Sequence, residues 1–297
     1  MNPDSLIRIL LLGFAHGSAI VASRAGLQVF AVLTWNWLNF SIASMVFLVT
    51  LLISRSWPTQ KGIWVHGSVW GITGVALPSI LIAFSLNHQS SGLTGVMIAM
   101  APVITCVVAH YFLPDERLTL SKIVGISLSI VGVLIIAFKK ETGLPGVSAN
   151  NLTGLVASFL AVLLGSSSNV YARRFMQNFN VLHAASIRTF ASAAAITSFF
   201  ILSGNFDFLQ IAPSHYSPLI YALLIGTFSG NIIIFSIVKK YGATTASMAA
   251  YIIPIVAIIL GMLTLKEEFT SSIALGTTLI LLGVYFVLRK LTSKALG

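Results

Sequence analysis

The chain has 297 residues, 57% of them hydrophobic and only 8% charged, with 17 Lys and Arg against 7 Asp and Glu and a formal net charge of +10. Its mean hydropathy is +0.95. A soluble domain carries about 25% charged residues, and one with so few would leave wide apolar patches open to water, so a soluble enzyme, a disordered tail and a disulfide scaffold are excluded. Cys106 is the sole cysteine, so no internal disulfide can form. The excess of basic residues is spread through short connections, which points to membrane orientation rather than to nucleic acid.

A bilayer core is spanned by about 20 mostly apolar residues in a helix. Ten such stretches follow one another, at 6–23, 33–53, 64–86, 93–113, 119–138, 152–172, 182–203, 217–238, 244–265 and 271–289. Short connections with helix-breaking residues separate them: Arg55–Lys61 with Pro58, Leu113–Thr119 with Asp115 and Glu116, and Lys139–Asn151 with Gly143, Pro145 and Gly146. The last of these is the natural midpoint, dividing the chain into 1–143 and 144–297. The first stretch resembles a signal peptide but lacks a basic cluster at its front, and is read as retained.

Orientation follows from the bases. With the N-terminus inside, Arg8, Arg55, Lys61, Arg117, Lys122, Arg173, Arg174, Lys239, Lys240, Arg289, Lys290 and Lys294 fall on the cytoplasmic side. Arg24, Lys139, Lys140 and Lys266 fall outside, and Arg188 just inside the seventh stretch. Basic residues concentrate on the cytoplasmic side, so both termini are expected there.

The halves match each other. With one single-residue gap, the identical pairs are Pro102/Pro254, Leu113/Leu265, Glu116/Glu268, Thr119/Thr270, Ser121/Ser272, Gly125/Gly276, Leu128/Leu279, Gly132/Gly283 and Val133/Val284. Five spans per half is odd, so the second half would enter the membrane upside down. Such inverted repeats are an architecture of secondary transporters, with the substrate site near the midplane between halves.

Ten spans in a five-plus-five duplication, Pro in the fourth and ninth, and an acid just after each (Glu116, Glu268) resemble the EamA family of the drug/metabolite transporter superfamily over the whole chain. Within it, the chain is similar to YddG-type amino-acid exporters of bacterial inner membranes. The resemblance implies an all-α integral membrane carrier of ten transmembrane helices as two inverted five-helix repeats. It also implies a cavity lined by the first, third, fourth, sixth, eighth and ninth spans. Such repeats often carry an Arg early in the second span of each half; Arg188 fits in the second half, but Asn39 stands in the first.

Every Asp and Glu lies at a predicted helix end or in a loop. A proton-coupled cation exporter needs an acid at depth, and a sugar-phosphate carrier needs buried Lys or Arg, of which none is read as central. A neutral or zwitterionic substrate remains. His16, midway along the first stretch, suits either a hydrogen bond to a neighbouring helix or a cavity wall. Small residues cluster at Gly165, Ser166 and Ser168 beside Asn169, at Gly71, Gly74, Pro78 and Ser79, and at Gly226, Ser229 and Gly230 beside Asn231. Small residues also serve close packing, whereas amides in lipid need polar partners, so Asn169 and Asn231 are placed at the cavity together with Ser79. Pro102 and Pro254 free the carbonyls of Ile98 and Ala250, as healed kinks or as hinges. Met97, Met100, Met248 and Tyr251 nearby would give a soft lining for apolar side chains. Glu116 and Glu268 are either solvated helix ends or latches at opposite gates.

No nucleotide, metal or protease motif is present, and Cys106 with His110 lacks the further groups of an intramembrane active site. The reading is therefore a carrier, not an enzyme, exporting neutral amino acids, aromatic or large apolar, and related metabolites by alternating access. Another small neutral metabolite or an amphiphilic drug is the alternative substrate. No cofactor, metal or nucleic acid is expected; the partners are the small-molecule substrate and membrane lipid, and a monomer suffices.

Overall fold

Hydrocarbon offers no partner to a backbone N–H or C=O, so a chain this apolar must satisfy its backbone within helices. The computed structural model describes residues 3–113, 118–145, 152–204, 211–241 and 248–294. Among them every regular element is helical. Eight helices are long and apolar enough to cross a membrane, and two shorter apolar helices, Ser217–Ser229 and Ala249–Leu265, accompany them. The full-length helices are α1 (Pro3–Gly26), α2 (Val32–Ser54), α3 (Ile63–Leu86), α4 (Ser91–Phe112), α5 (Leu120–Lys139), α6 (Leu152–Phe175), α7 (Val181–Ser203) and α10 (Ser271–Lys294). Between them, α8 runs through Ser217–Tyr221, Ala222–Ser229 and Gly230–Tyr241, and α9 is Ala249–Leu265. At 1.5 Å per residue, 24 residues of α1 reach about 36 Å, enough to cross with some tilt.

Helix starts and stops follow local chemistry. Ser90 caps α4 by accepting from Leu93 N at 3.1 Å, and Asn180 caps α7 by accepting from Leu182 N and His183 N. Arg55, Lys140 and Lys266 end α2, α5 and α9 in left-handed backbone, and their charge suits the negative helix C-terminus.

Three helices depart from regular α geometry. α3 contains a π-helical turn at Ile72–Ala76, and α8 a longer one at Ala222–Ser229. α4 is interrupted at Met100, with Pro102 in the first turn of its second piece. The missing proline N–H explains the break. The carbonyl of Ala101 beside it accepts from Ser166 Oγ of α6 at 3.2 Å. Pro254 interrupts nothing: α9 continues through it.

The packing is reciprocal. α1 lies along α9, and α6 along α4; α3 lies along α6, and α8 along α1; α5 and α10 pack on each other over their length. The main core joins α4, α5, α6 and α10 through Leu93, Met97, Ile136, Leu155 and Ile280. Among the described residues one seam has no equal counterpart. α3 packs closely on α7, where an ideal Cβ on Gly71 would lie 2.3 Å from the carbonyl oxygen of Arg188. α8 meets α2 chiefly along its π-helical stretch.

Candidate functional site

A cavity of about 430 Å³ lies among α1, α2, α3, α4, α7, α8 and α9, within the range of small-molecule sites. Both π-helical turns border it, through Gly74 and Val75 on α3 and through Ala222, Gly226 and Thr227 on α8. A π turn widens the helix and re-aims its side chains, which is why such turns recur at functional sites. α4 contributes Ile98, two residues before its break, and α9 contributes Ile253, directly before Pro254.

Most of the wall is apolar: Phe40, Phe47, Val75, Ile82, Ile98 and Ile253. Trp35, Ala83, Leu86 and Ala222 of the wall belong to an apolar cluster with Phe30 and Leu219, with the Phe30 ring 5.9 Å from that of Trp35 and edge-on to Tyr216 at 5.1 Å. The polar wall groups largely bond within their own helices. Asn36 donates to Val32 O at 2.8 Å, Asn39 to Trp35 O at 3.1 Å, Ser79 to Ala76 O at 2.9 Å and Thr189 to Ala185 O at 2.9 Å. Arg188 is the charged side chain of the lining; no Asp or Glu shares it among the described residues. Its guanidinium carbon lies 4.6 Å from the centre of the Trp70 ring, and its Nε is buried without a hydrogen-bond partner.

The expected site residues divide. His16 and Ser79 line the cavity. His16 also fills the gap at Gly230, where an ideal Cβ would sit 2.5 Å from its Nε2. Met97 and Met100 face the other way, into the core with α5, α6 and α10. Tyr251 packs against that same core, and Met248 against Ile9, Leu12 and Ile237. Asn169 is exposed. Glu116 and the side chain of Asn231 lie outside the described residues. α6 gives the cavity no residue; its hydroxyls meet neighbouring helices instead, Ser166 at Ala101 O and Ser168 at Thr73 Oγ1, 2.7 Å away. α2 and α7 stand in its place. Arg188, expected just inside the seventh stretch, joins the cavity lining, which the sequence reading did not assign to it; its place among apolar residues of α7 was the available signal.

At one end of the bundle the inward acid is Glu267, not Glu268. The left-handed Lys266 turns the chain back, Glu267 N bonds to Gly261 O at 3.2 Å, and the Glu267 side chain swings inward. It accepts from Ser91 N at 2.8 Å, Ser91 Oγ at 2.7 Å and Gly92 N at 3.3 Å. A carboxylate therefore sits on the positive N-terminus of α4. The Glu268 side chain is exposed, while its backbone N–H reaches Gly143 O at 2.9 Å. Glu116 and Glu267 each stand three residues before a threonine, Thr119 and Thr270, so a gap placed ahead of Glu116 pairs it with Glu267 in place of Glu268. At the opposite end, Asp4 of α1 pairs with Arg8 of the same helix at 3.1 Å and joins α8 through Lys240 at 2.8 Å and the Tyr241 hydroxyl, while Arg8 donates to Ser236 Oγ at 2.9 Å.

This architecture agrees with comparison to known proteins. The profile of the EamA-like transporter family matches twice, over residues 5–138 and 152–289, and the chain belongs to that family. It is a multi-pass membrane protein. An uncharacterized transporter of Archaeoglobus fulgidus is 23% identical over 281 residues, covering 92% of this chain and 95% of the relative. The uncharacterized transporter YoaV of Bacillus subtilis is 23% identical over 285 residues, covering 94% and 95%. A solved structure titled only as the crystal structure of a protein shares the fold with a TM-score of 0.63 at 18% identity, covering 95% of each chain. Family and relatives alike are named as transporters.

Proposed function

We propose that the chain is an alternating-access carrier that exports neutral amino acids, aromatic or large apolar, and related metabolites across a cell inner membrane. Its two halves, 1–143 and 144–297, form inverted five-helix repeats of ten spans in all, with both termini cytoplasmic. The two separate family matches, one per half, support the duplication, and the reciprocal packing of α1 on α9 and α6 on α4 supports the inversion. The observation that carries the substrate reading is the cavity itself: large apolar walls, room for one amino acid, and one guanidinium with no acid. A single fixed positive charge suits a zwitterion or monoanion; a sugar phosphate calls for more cations and a cationic drug for an acid.

The test is efflux from proteoliposomes loaded in turn with phenylalanine, a quaternary ammonium and a sugar phosphate. Phenylalanine is expected to leave fastest. Preferential efflux of either of the other two overturns the amino-acid reading.

A further inference from the structure

We propose that Arg188 is the anchor for the substrate's carboxylate, and that the cavity recognises the carboxylate rather than the ammonium group. The inference rests on the cavity being the transport site. An arginine within an apolar helix bundle is expensive unless its charge is met. Here it is not met from within. The Nε is buried and unpartnered, and no described residue gives the guanidinium a hydrogen bond or an ion pair. Trp70 covers one face at 4.6 Å, a cation–π contact that uses the face of the guanidinium and not its N–H groups. Arg188 lines the cavity, and a guanidinium edge matches a carboxylate bidentately.

The opposite end of an amino acid finds no such match. No acid lines the cavity among the described residues. Asn36 and Asn39 already donate to their own helix, so only neutral acceptors remain for an ammonium group. An apolar body with a carboxylate should therefore bind whether or not it carries an amine.

The experiment compares three probes that share a phenyl body: phenylalanine, 3-phenylpropionate without the ammonium, and phenethylamine without the carboxylate. Binding to the purified full chain is read by ligand-induced thermal stabilisation, and flux by counterflow in proteoliposomes. Both carboxylates should stabilise the wild-type chain and compete with each other, and phenethylamine should do neither. R188Q should lose roughly 10- to 100-fold in affinity for 3-phenylpropionate, the range of a hydrogen-bonded charge pair. R188K, which keeps the charge but not the fork, should fall between. The unliganded unfolding midpoint reports whether each variant is folded; if R188Q is not, R188K and the wild-type ranking decide.

Phenethylamine binding as tightly as 3-phenylpropionate, neither carboxylate binding, or R188Q keeping full affinity would each overturn the proposal. Arg188-dependent binding without phenylalanine flux refutes the transport reading and leaves the anchor. Flux without carboxylate preference does the reverse.

Discussion

Gly125 of α5 and Gly283 of α10 meet backbone to backbone: an ideal Cβ on either would lie 2.4 Å from the carbonyl oxygen of the other. Seven residues along each helix, Gly132 and Gly276 repeat the contact at 2.6 and 2.8 Å. The sequence repeat pairs Gly125 with Gly276 and Gly132 with Gly283. Each glycine therefore faces not its own equivalent but the other member of the set, as an antiparallel two-fold contact requires. Small residues are what bring helices this close in lipid.

Alanine at Gly283 would force its methyl onto the Gly125 carbonyl, and the helices would have to separate. Overpacking of this kind costs about 1–3 kcal/mol. Gly283→Ala and Gly125→Ala should both unfold earlier in detergent than the wild type. Gly165→Ala is the control: no atom lies within 4 Å of its added Cβ, so that variant should be unchanged or about 0.5–1 kcal/mol more stable. Equal midpoints for all three would dismiss the close contact.

Glu267→Gln should destabilise the chain by about 1.5–3 kcal/mol, because Ser91 N, Ser91 Oγ and Gly92 N would lose their charged acceptor. Glu268→Gln, one residue on but exposed, should have no measurable effect. Thermal unfolding of the two variants side by side checks the assignment. The reverse order would return the latch to Glu268.

The prolines are proposed as hinges. Alanine restores the missing donor and is about 3 kcal/mol better than proline in a helix interior, the setting of Pro254, and gains less at Pro102 in the first turn of its piece. Pro102→Ala should straighten the break at Met100, and Pro254→Ala should stiffen an already continuous α9. Both should express normally, transport slowly and favour opposite facing states, read by the accessibility of cysteines placed near each end. Wild-type rates in both variants would make the prolines structural.

Topology has its own test. In a background with buried Cys106 replaced by serine, a cysteine at Ser148 should react with an impermeant reagent added outside intact cells. One at Arg173 or Arg174 should not. The opposite pattern inverts the proposed orientation.

Helix positions were legible because hydropathy is a property of whole segments: 33–53 became Val32–Ser54, 119–138 became Leu120–Lys139 and 182–203 became Val181–Ser203. The cavity was legible only in part. Helices that are apolar all round carry little signal of which face meets lipid, core or cavity, so Met97 and Met100 could not be told from lining residues by composition. The π-helical turns at Ile72–Ala76 and Ala222–Ser229 have no sequence marker of their own. Glu267 was hidden by a one-residue register. Its inward turn depends on the left-handed Lys266, which no hydropathy pattern records.

The unequal seams carry a thermodynamic meaning. Under the proposed inversion, the contact of α3 with α7 and that of α8 with α2 are equivalent places, yet one is zipped along its length and the other touches chiefly at a π turn. Passing to the opposite facing state then amounts to trading one zipper for the other. The exchange is close to isoenergetic where the two seams share residue types, and it is biased where they differ. On the proposed alternating-access reading, Gly67 and Gly71, which seat Ile187 and the Arg188 backbone, would set the resting side of the carrier, and bound substrate would have to level that difference.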